Sequence, residues 1–166
     1  AVAFAVRDAV TEGRMVLADG VAVVDAPPTV VVSSLAPLSG AARVAVGPDL
    51  APYYTDDAGL VAALETGAET GCDPVWRMPF HTPYEPIIEP GIADLDNAPG
   101  WGFAGSVTAA LFLQKFAPTT GAWAHMDIFA WNPRARPGWP EGGEAQALRA
   151  YREELPAHSP LRHSEQ

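Results

Sequence analysis

Two pairs of side chains in this sequence have the spacing for chemistry. His125 and Asp127 stand at i and i+2, so on an extended strand both project from one face and could chelate a cation together. Asp94 and Asp96 stand at the same spacing and could act as a carboxylate pair in acid–base work. A structural use competes with each. Buried polar side chains are hydrogen-bonded as a rule, which favours a hydrogen-bonded structural pair for His125 and Asp127. The Pro-rich surroundings of Asp94 and Asp96 favour turn and cap roles instead. His81, His158 and His163 show no ligand spacing. Cys72 is the only cysteine, so no internal disulfide can form, and it reads as a buried, inert thiol. Arg134, Arg136, Arg149, Arg152 and Arg162 make a locally basic end that reads as solvated surface.

The elements that must position these groups are organised around one stretch, Gly102 to Asn132. Apolar residues at Val107, Ala110, Leu111, Leu113 and Phe116 predict a buried helix over 105–116, stopped by Pro118. AWAHMDIFAW follows a PTTG turn and is apolar on both faces, as expected of a strand covered by helices on each side of a sheet. Upstream, AVAFAVR (1–7) predicts a short strand, and residues 11–24 a turn into a helix that Thr11 could cap. The β-branched run TVVVSS (29–34) predicts a buried strand in a largely parallel sheet. RVAVG (43–47) reads as a second β-rich run, and Tyr53-Tyr54 as a short extended segment. Asp56-Asp57 open a helix over 58–71 that stops at Gly71. Residues 73–100 hold too many prolines for a long helix or a central strand, and predict a loop with one short helix near 84–88. A final helix is expected near 143–155. The fold class is therefore α/β, a three-layer domain with a central mostly parallel or mixed sheet and helices on both faces. Residues 1–156 form the domain and 157–166 a polar tail.

Composition narrows the partners. With 166 residues, 48% hydrophobic and 18% charged, the chain is long enough for a core. Its net charge of −10 repels phosphate backbones and argues against nucleic acid. No apolar run reaches the roughly 18–20 residues of a membrane span, and no signal sequence opens the chain, so a cytoplasmic location is expected. Ala1, with no initiating Met, is read as the start of a piece of a longer protein.

Several motifs occur together in one order: Glu12-Gly13-Arg14-Met15-Val16-Leu17-Ala18-Asp19, Ser39-Gly40-Ala41-Ala42-Arg43-Val44-Ala45-Val46-Gly47, Asp73-Pro74-Val75-Trp76-Arg77-Met78-Pro79, Ala93-Asp94-Leu95-Asp96-Asn97 and Trp123-Ala124-His125-Met126-Asp127-Ile128. With the helix that starts at Ala104-Gly105, they resemble the leucyl aminopeptidase (cytosol aminopeptidase) family, in the later part of its catalytic domain. EGGEAQALRAY and FAWNPRARPG look most like its alphaproteobacterial branch.

The resemblance implies a cytoplasmic exopeptidase that releases N-terminal residues from peptides, with two divalent ions (Mn or Zn) and a homo-oligomeric, usually hexameric, assembly. Bridging carboxylates would hold the ions, which lower the pKa of a water and grip the peptide. The family's Asn-Thr-Asp-Ala-Glu-Gly-Arg stretch corresponds here to Asp8-Ala9-Val10-Thr11-Glu12-Gly13-Arg14. Glu12 thus matches the second metal carboxylate, and Arg14 the arginine thought to hold a proton-shuttling bicarbonate. Val10 takes the place of the first carboxylate and cannot bind a metal. Asp8 is no simple substitute, because four residues of extended chain put it about 13 Å from Glu12. The family's other ligands, a lysine and two aspartates, belong to the segment before the matched region. Ala36-Pro37-Leu38-Ser39-Gly40 stands where the family has Ala-Thr-Leu-Thr-Gly, so Leu38 and Gly40 are expected to keep backbone contacts to substrate. Phe129 and Asn132 match positions that line the pocket for the N-terminal side chain. On these residues the chain alone is expected to be inactive, with a non-catalytic structural or interaction module as the alternative.

Overall fold

The computed structural model describes residues 4–5, 12–23, 31–119 and 121–152. Its centre is a four-stranded mixed sheet in the order β2-β6-β3-β4, formed by β2 (Val31–Leu35), β6 (Ala122–Met126), β3 (Ala51–Tyr54) and β4 (Val75–Arg77). β2 pairs parallel with β6, and β3 pairs parallel with β4. β3 runs antiparallel to β6, which makes the sheet mixed, one of the two forms the sequence suggested. Pro52 is tolerated in β3, where its carbonyl still accepts from Asp127 N at 3.1 Å. Two further pairs lie outside this sheet. β1 (Phe4–Ala5) pairs with β5 (Leu95–Asp96), and β7 (Trp131–Asn132) with β8 (Gly142–Gly143).

Alternation along the strands separates two cores. Trp123, Tyr54 and Val32 face the layer built by α1 (Glu12–Val23) and α4 (Gly105–Gln114), together with the 3-10 helix Thr82–Ile88. Ala124, Met126, Ala51 and Tyr53 face the opposite layer, with Leu60 and Leu64 of α3 (Ala58–Thr70) and Ala147 and Tyr151 near the chain's last described turn. Helices therefore cover both faces of the sheet. This is why TVVVSS and AWAHM carry apolar residues without a polar side. α4 is buried from Ser106 through Leu113, which explains a helix that is apolar all round. Asp57 caps α3 by accepting from Leu60 N at 2.7 Å, and Gly71 ends it, both as the sequence suggests. Among the described residues no helix is long and apolar enough to cross a membrane.

Four expectations change. The run RVAVG is not β-rich structure but lies in and just beyond a helix, α2 (Gly40–Val46). Its β propensity loses to tertiary capping: the carboxylate of Asp127 accepts from Leu38 N at 3.0 Å, from Ser39 N at 3.2 Å and from Ser39 Oγ at 2.7 Å, fixing the turn that launches the helix. α2 then lies against α4, and a Cβ on Gly105 would meet Ala41 Cβ at 3.3 Å. Its β-branched Val44 faces solvent at 83% exposure. Secondly, AWAHMDIFAW is not one strand: β6 ends at Met126, and Ala130 takes a left-handed backbone at φ 57°. Thirdly, the closing helix begins later than residue 143, since Gly142–Gly143 form β8 and helical structure is seen over 148–152. Finally, Cys72 is exposed, placed at the surface by a turn with φ 48° directly after α3. Most of strand 1–7, the cap at Thr11, Thr29 and Val30, and the tail 157–166 lie outside the described residues.

His125 sits in the middle of β6, fully buried, beside its parallel partner Ser34, whose hydroxyl is 3.0 Å from Nδ1. Burial holds the imidazole neutral and lowers its pKa from 6.5 to about 4. The unfolded chain then binds the proton more tightly than the folded one, so stability is full above pH 6.5 and is lost as pH falls toward 4. Between pH 7 and 5, urea unfolding should show wild-type protein losing about 2 kcal/mol more than His125→Gln. Parallel pH profiles for the two would contradict a buried neutral histidine. A second expectation concerns the cap: Asp127→Ala removes the acceptor of the Leu38 and Ser39 N–H groups and of the Ser39 and Ser106 hydroxyls, and should cost about 2–3 kcal/mol in the same measurement.

Candidate functional site

Arg14 lies in the first turn of α1, and its helix places it in the interior with only 7% exposure. Nη1 donates to the carbonyl of Asn97 at 2.5 Å, just beyond β5, and Nη2 to the carbonyl of Leu38 at 3.2 Å. Nε is buried and has no partner among the described residues. Burial lowers the guanidinium pKa, opposed by the fields of Asp127 and then Asp96. One side chain thus ties α1 to the end of β5 and to the loop 36–39.

That loop is held from its other side by Asp127. Besides Leu38 and Ser39, the carboxylate bonds Ser106 at the start of α4, and Tyr54 Oη donates to Ser106 Oγ at 2.7 Å. Burial raises the carboxyl pKa, and the donors from Ser39, Ser106 and the Leu38 backbone pull against that rise. The result is a continuous polar chain from β3 through α4 and β6 to the loop and α1. His125 is not part of it: the two side chains that share a strand face bond different partners, Ser34 for His125 and the loop for Asp127. Asp96 and Asp94 do not form a carboxylate pair for catalysis either. Asp96 is buried and closes a turn by accepting from Ala98 N at 2.9 Å, while Asp94 is exposed.

Above this network opens a cleft of about 740 Å³, with Arg14, Leu38, Gly40, Phe103, Gly105 and Thr108 among its walls. A side pocket of about 180 Å³ shares Pro37, Ser39 and Gly40 with it and is closed by Arg43, Ile128 and Phe129. Three of the expected site residues, Arg14, Leu38 and Gly40, therefore surround one cleft, and Phe129 lies next door. Asn132 is elsewhere. Its Nδ2 donates to the carbonyls of Trp139 at 3.1 Å and Pro140 at 2.6 Å, and it lines a separate cleft of about 280 Å³ with Arg136 and Arg149. Those two arginines are not simply solvated: Arg136 pairs with Asp49 at 2.8 Å, Arg149 with Asp73 at 3.4 Å, and both pack on Trp139. Sequence reasoning passed over Ser39 and Arg43, and took Asp127 only as a structural partner for His125. A serine one residue before a helix is a recognisable signal, but the carboxylate that uses it lies 88 residues away.

The residues described do not fit a two-ion centre. No group of three or more His, Cys, Asp or Glu among them is arranged to hold a metal ion. Glu12 opens α1, its side chain lies outside the described set, and Asp8 and Val10 do too.

Known proteins resemble this chain in sequence and in fold. The model of the cytosol aminopeptidase family, catalytic domain, matches residues 2–151. A probable cytosol aminopeptidase of Synechococcus sp. (strain CC9902) is 38% identical over 133 residues, 80% of this chain and 26% of that protein. One from Geobacter sulfurreducens is 37% identical over 148 residues, 88% of this chain and 29% of its own length. The chain thus spans about a quarter of the length of these relatives. Among solved structures, the cytosol aminopeptidase of Coxiella burnetii superposes with a TM-score of 0.81 at 42% identity, over 93% of this chain and 34% of the other. The bottromycin maturation enzyme BotP in complex with Mn gives 0.86 at 28% identity, over 93% and 35%. Matched over nearly all its length in sequence and in fold, the chain belongs to the cytosol aminopeptidase family and corresponds to a part of its catalytic domain.

Proposed function

We propose that this chain is the peptide-facing part of an aminopeptidase catalytic domain and not by itself a metal centre. The observation that carries this is the convergence of Arg14, Leu38 and Gly40 on one cleft, from an α1 turn, a loop and the start of α2. Arg14, fixed at both Nη atoms, presents a cation that is already desolvated and held in place before any ligand arrives. The backbone at Gly40 and the remaining lone pair of the Leu38 carbonyl offer the polar edge against which a peptide could lie, and Phe129 borders the space for its N-terminal side chain. Glu12 keeps a metal role only as a contributor to a site completed by other residues, with manganese or zinc as the ion. Asn132 supports the site at most from a distance, by fixing the turn at Trp139 and Pro140. A cytoplasmic location and hexameric assembly are part of the same proposal.

A non-catalytic module remains the second reading, favoured by Val10 in a carboxylate's place and by Pro37 where the family has threonine. Both readings expect the isolated chain to be silent. Purified protein should show no hydrolysis of leucine p-nitroanilide and no stoichiometric zinc or manganese by elemental analysis, and Val10→Asp alone should restore neither. Metal-dependent turnover by the unmodified chain would show that Val10 is not disabling.

Assembly gives a further check. β2 has β6 on one side and no other strand among the described residues on the other, and an open edge of this kind recruits partners. Light scattering at micromolar concentration should therefore find self-association, and a monodisperse monomer would count against it.

A further inference from the structure

The side pocket beside the cleft is chemically one-sided. Of the residues that line it, Arg43 is the only ionisable one; Pro37, Gly40, Ala42, Ile128 and Phe129 contribute apolar surface and Ser39 a neutral hydroxyl. Arg43 projects from α2 and is exposed, and its guanidinium lies 5.1 Å from the centre of the Phe129 ring. Among the described residues it makes no ion pair, in a protein whose net charge is −10. The nearby carboxylate of Asp127 lies behind the loop, occupied by the N–H groups of Leu38 and Ser39 and by the hydroxyl of Ser39. Phe129 holds the guanidinium carbon over its ring, and an arginine placed over an aromatic face still has donors to offer a carboxylate. At about 180 Å³ the pocket is sized for one side chain, and its shared wall at Gly40 connects it to the cleft.

We propose that this pocket receives an acidic side chain, Asp or Glu, of a peptide lying in the cleft, and that Arg43 is the residue that selects it. The selection rests on the cleft being peptide-facing, as proposed above. The carboxylate would meet the guanidinium edge, and the aliphatic part of the side chain would lie against Phe129 and Ile128. A neutral side chain of the same length would gain the packing but not the charge-assisted hydrogen bond. An aliphatic one would leave the cation facing an apolar group.

Three small ligands separate these terms: glutamic acid α-amide, glutamine α-amide and leucine amide, titrated into isotope-labelled full-length chain and followed by chemical-shift changes. Glutamic acid amide should perturb Gly40 and the Arg43 side chain, and bind about five- to tenfold more tightly than glutamine amide. Arg43→Gln should abolish the difference between the two, and because Arg43 is exposed the variant is expected to fold; an unchanged pattern of buried resonances verifies this. Raising salt from about 0.05 to 0.5 M should shrink the preference in wild-type protein. Equal affinities, a preference that survives Arg43→Gln, or one indifferent to salt would each overturn the acidic assignment. If that assignment fails while leucine amide still shifts Gly40, the peptide-facing cleft stands. If none of the three perturbs the cleft, both fall.

Discussion

A carboxylate taken out of water needs donors on every side, and Asp127 finds them in parts of the chain that would otherwise have no reason to meet. It is 1% exposed and bonds the loop at Leu38 and Ser39, with Ser106 of α4 completing the set. The cost of burying the charge, visible as the raised pKa, is offset by these donors. Much of the molecule follows from this one anchor. The loop it holds turns into α2, α2 seats against α4 through Gly105, and the carbonyl of Leu38 receives Arg14. Removing the carboxylate takes the acceptor from Leu38 N, Ser39 N and Ser39 Oγ in the cleft wall.

The sheet provides the rigidity that such a network requires. β6 lies between β2 and β3 and is covered on both faces, so the residue that follows it, Asp127, leaves a strand that cannot shift without disturbing two cores. His125, two residues earlier and equally buried, spends its polarity on Ser34 and stays neutral. Two titratable groups close together in sequence, one in β6 and one just beyond it, therefore have separate duties: His125 ties strands together, and Asp127 ties a loop to the sheet.

Membership of the cytosol aminopeptidase family is compatible with finding no group of three or more metal-ligating side chains among the described residues, because the chain corresponds to only a part of the catalytic domain. The cleft wall is built from α1, the 36–40 loop and the start of α4. By the resemblance, most ligands for the ions belong to the segment before the matched region; of the two positions inside the chain that match metal carboxylates, Glu12 keeps the carboxylate and Val10 does not. The fold of this part of the domain is preserved, as the TM-score of 0.81 to the Coxiella burnetii structure shows.

The amino-acid sequence by itself determined the layer architecture, the family, and the local elements with strong periodic or capping signals. The buried helix at 105, the strand at 31, the Asp57 cap and the Gly71 stop were all legible, because apolar periodicity and cap chemistry act over a few residues. The positions of Arg14, Leu38 and Gly40 as a group were legible only through resemblance, since 24 residues separate Arg14 from Leu38. Tertiary structure alone decided the rest. Arg43 to Val46 read as strand from their β-branched residues, yet a carboxylate 88 residues beyond Ser39 fixed the start of a helix there. AWAHMDIFAW read as one strand, yet β6 ends at Met126 and Ala130 takes a left-handed backbone. Asn132 matched the pocket by motif, and the fold sets its side-chain amide against the carbonyls of Trp139 and Pro140. At the start of α2 the deciding interaction was a hydrogen bond between distant segments, and local propensity, worth a fraction of a kcal/mol per residue, gave way to a buried group that had to be satisfied.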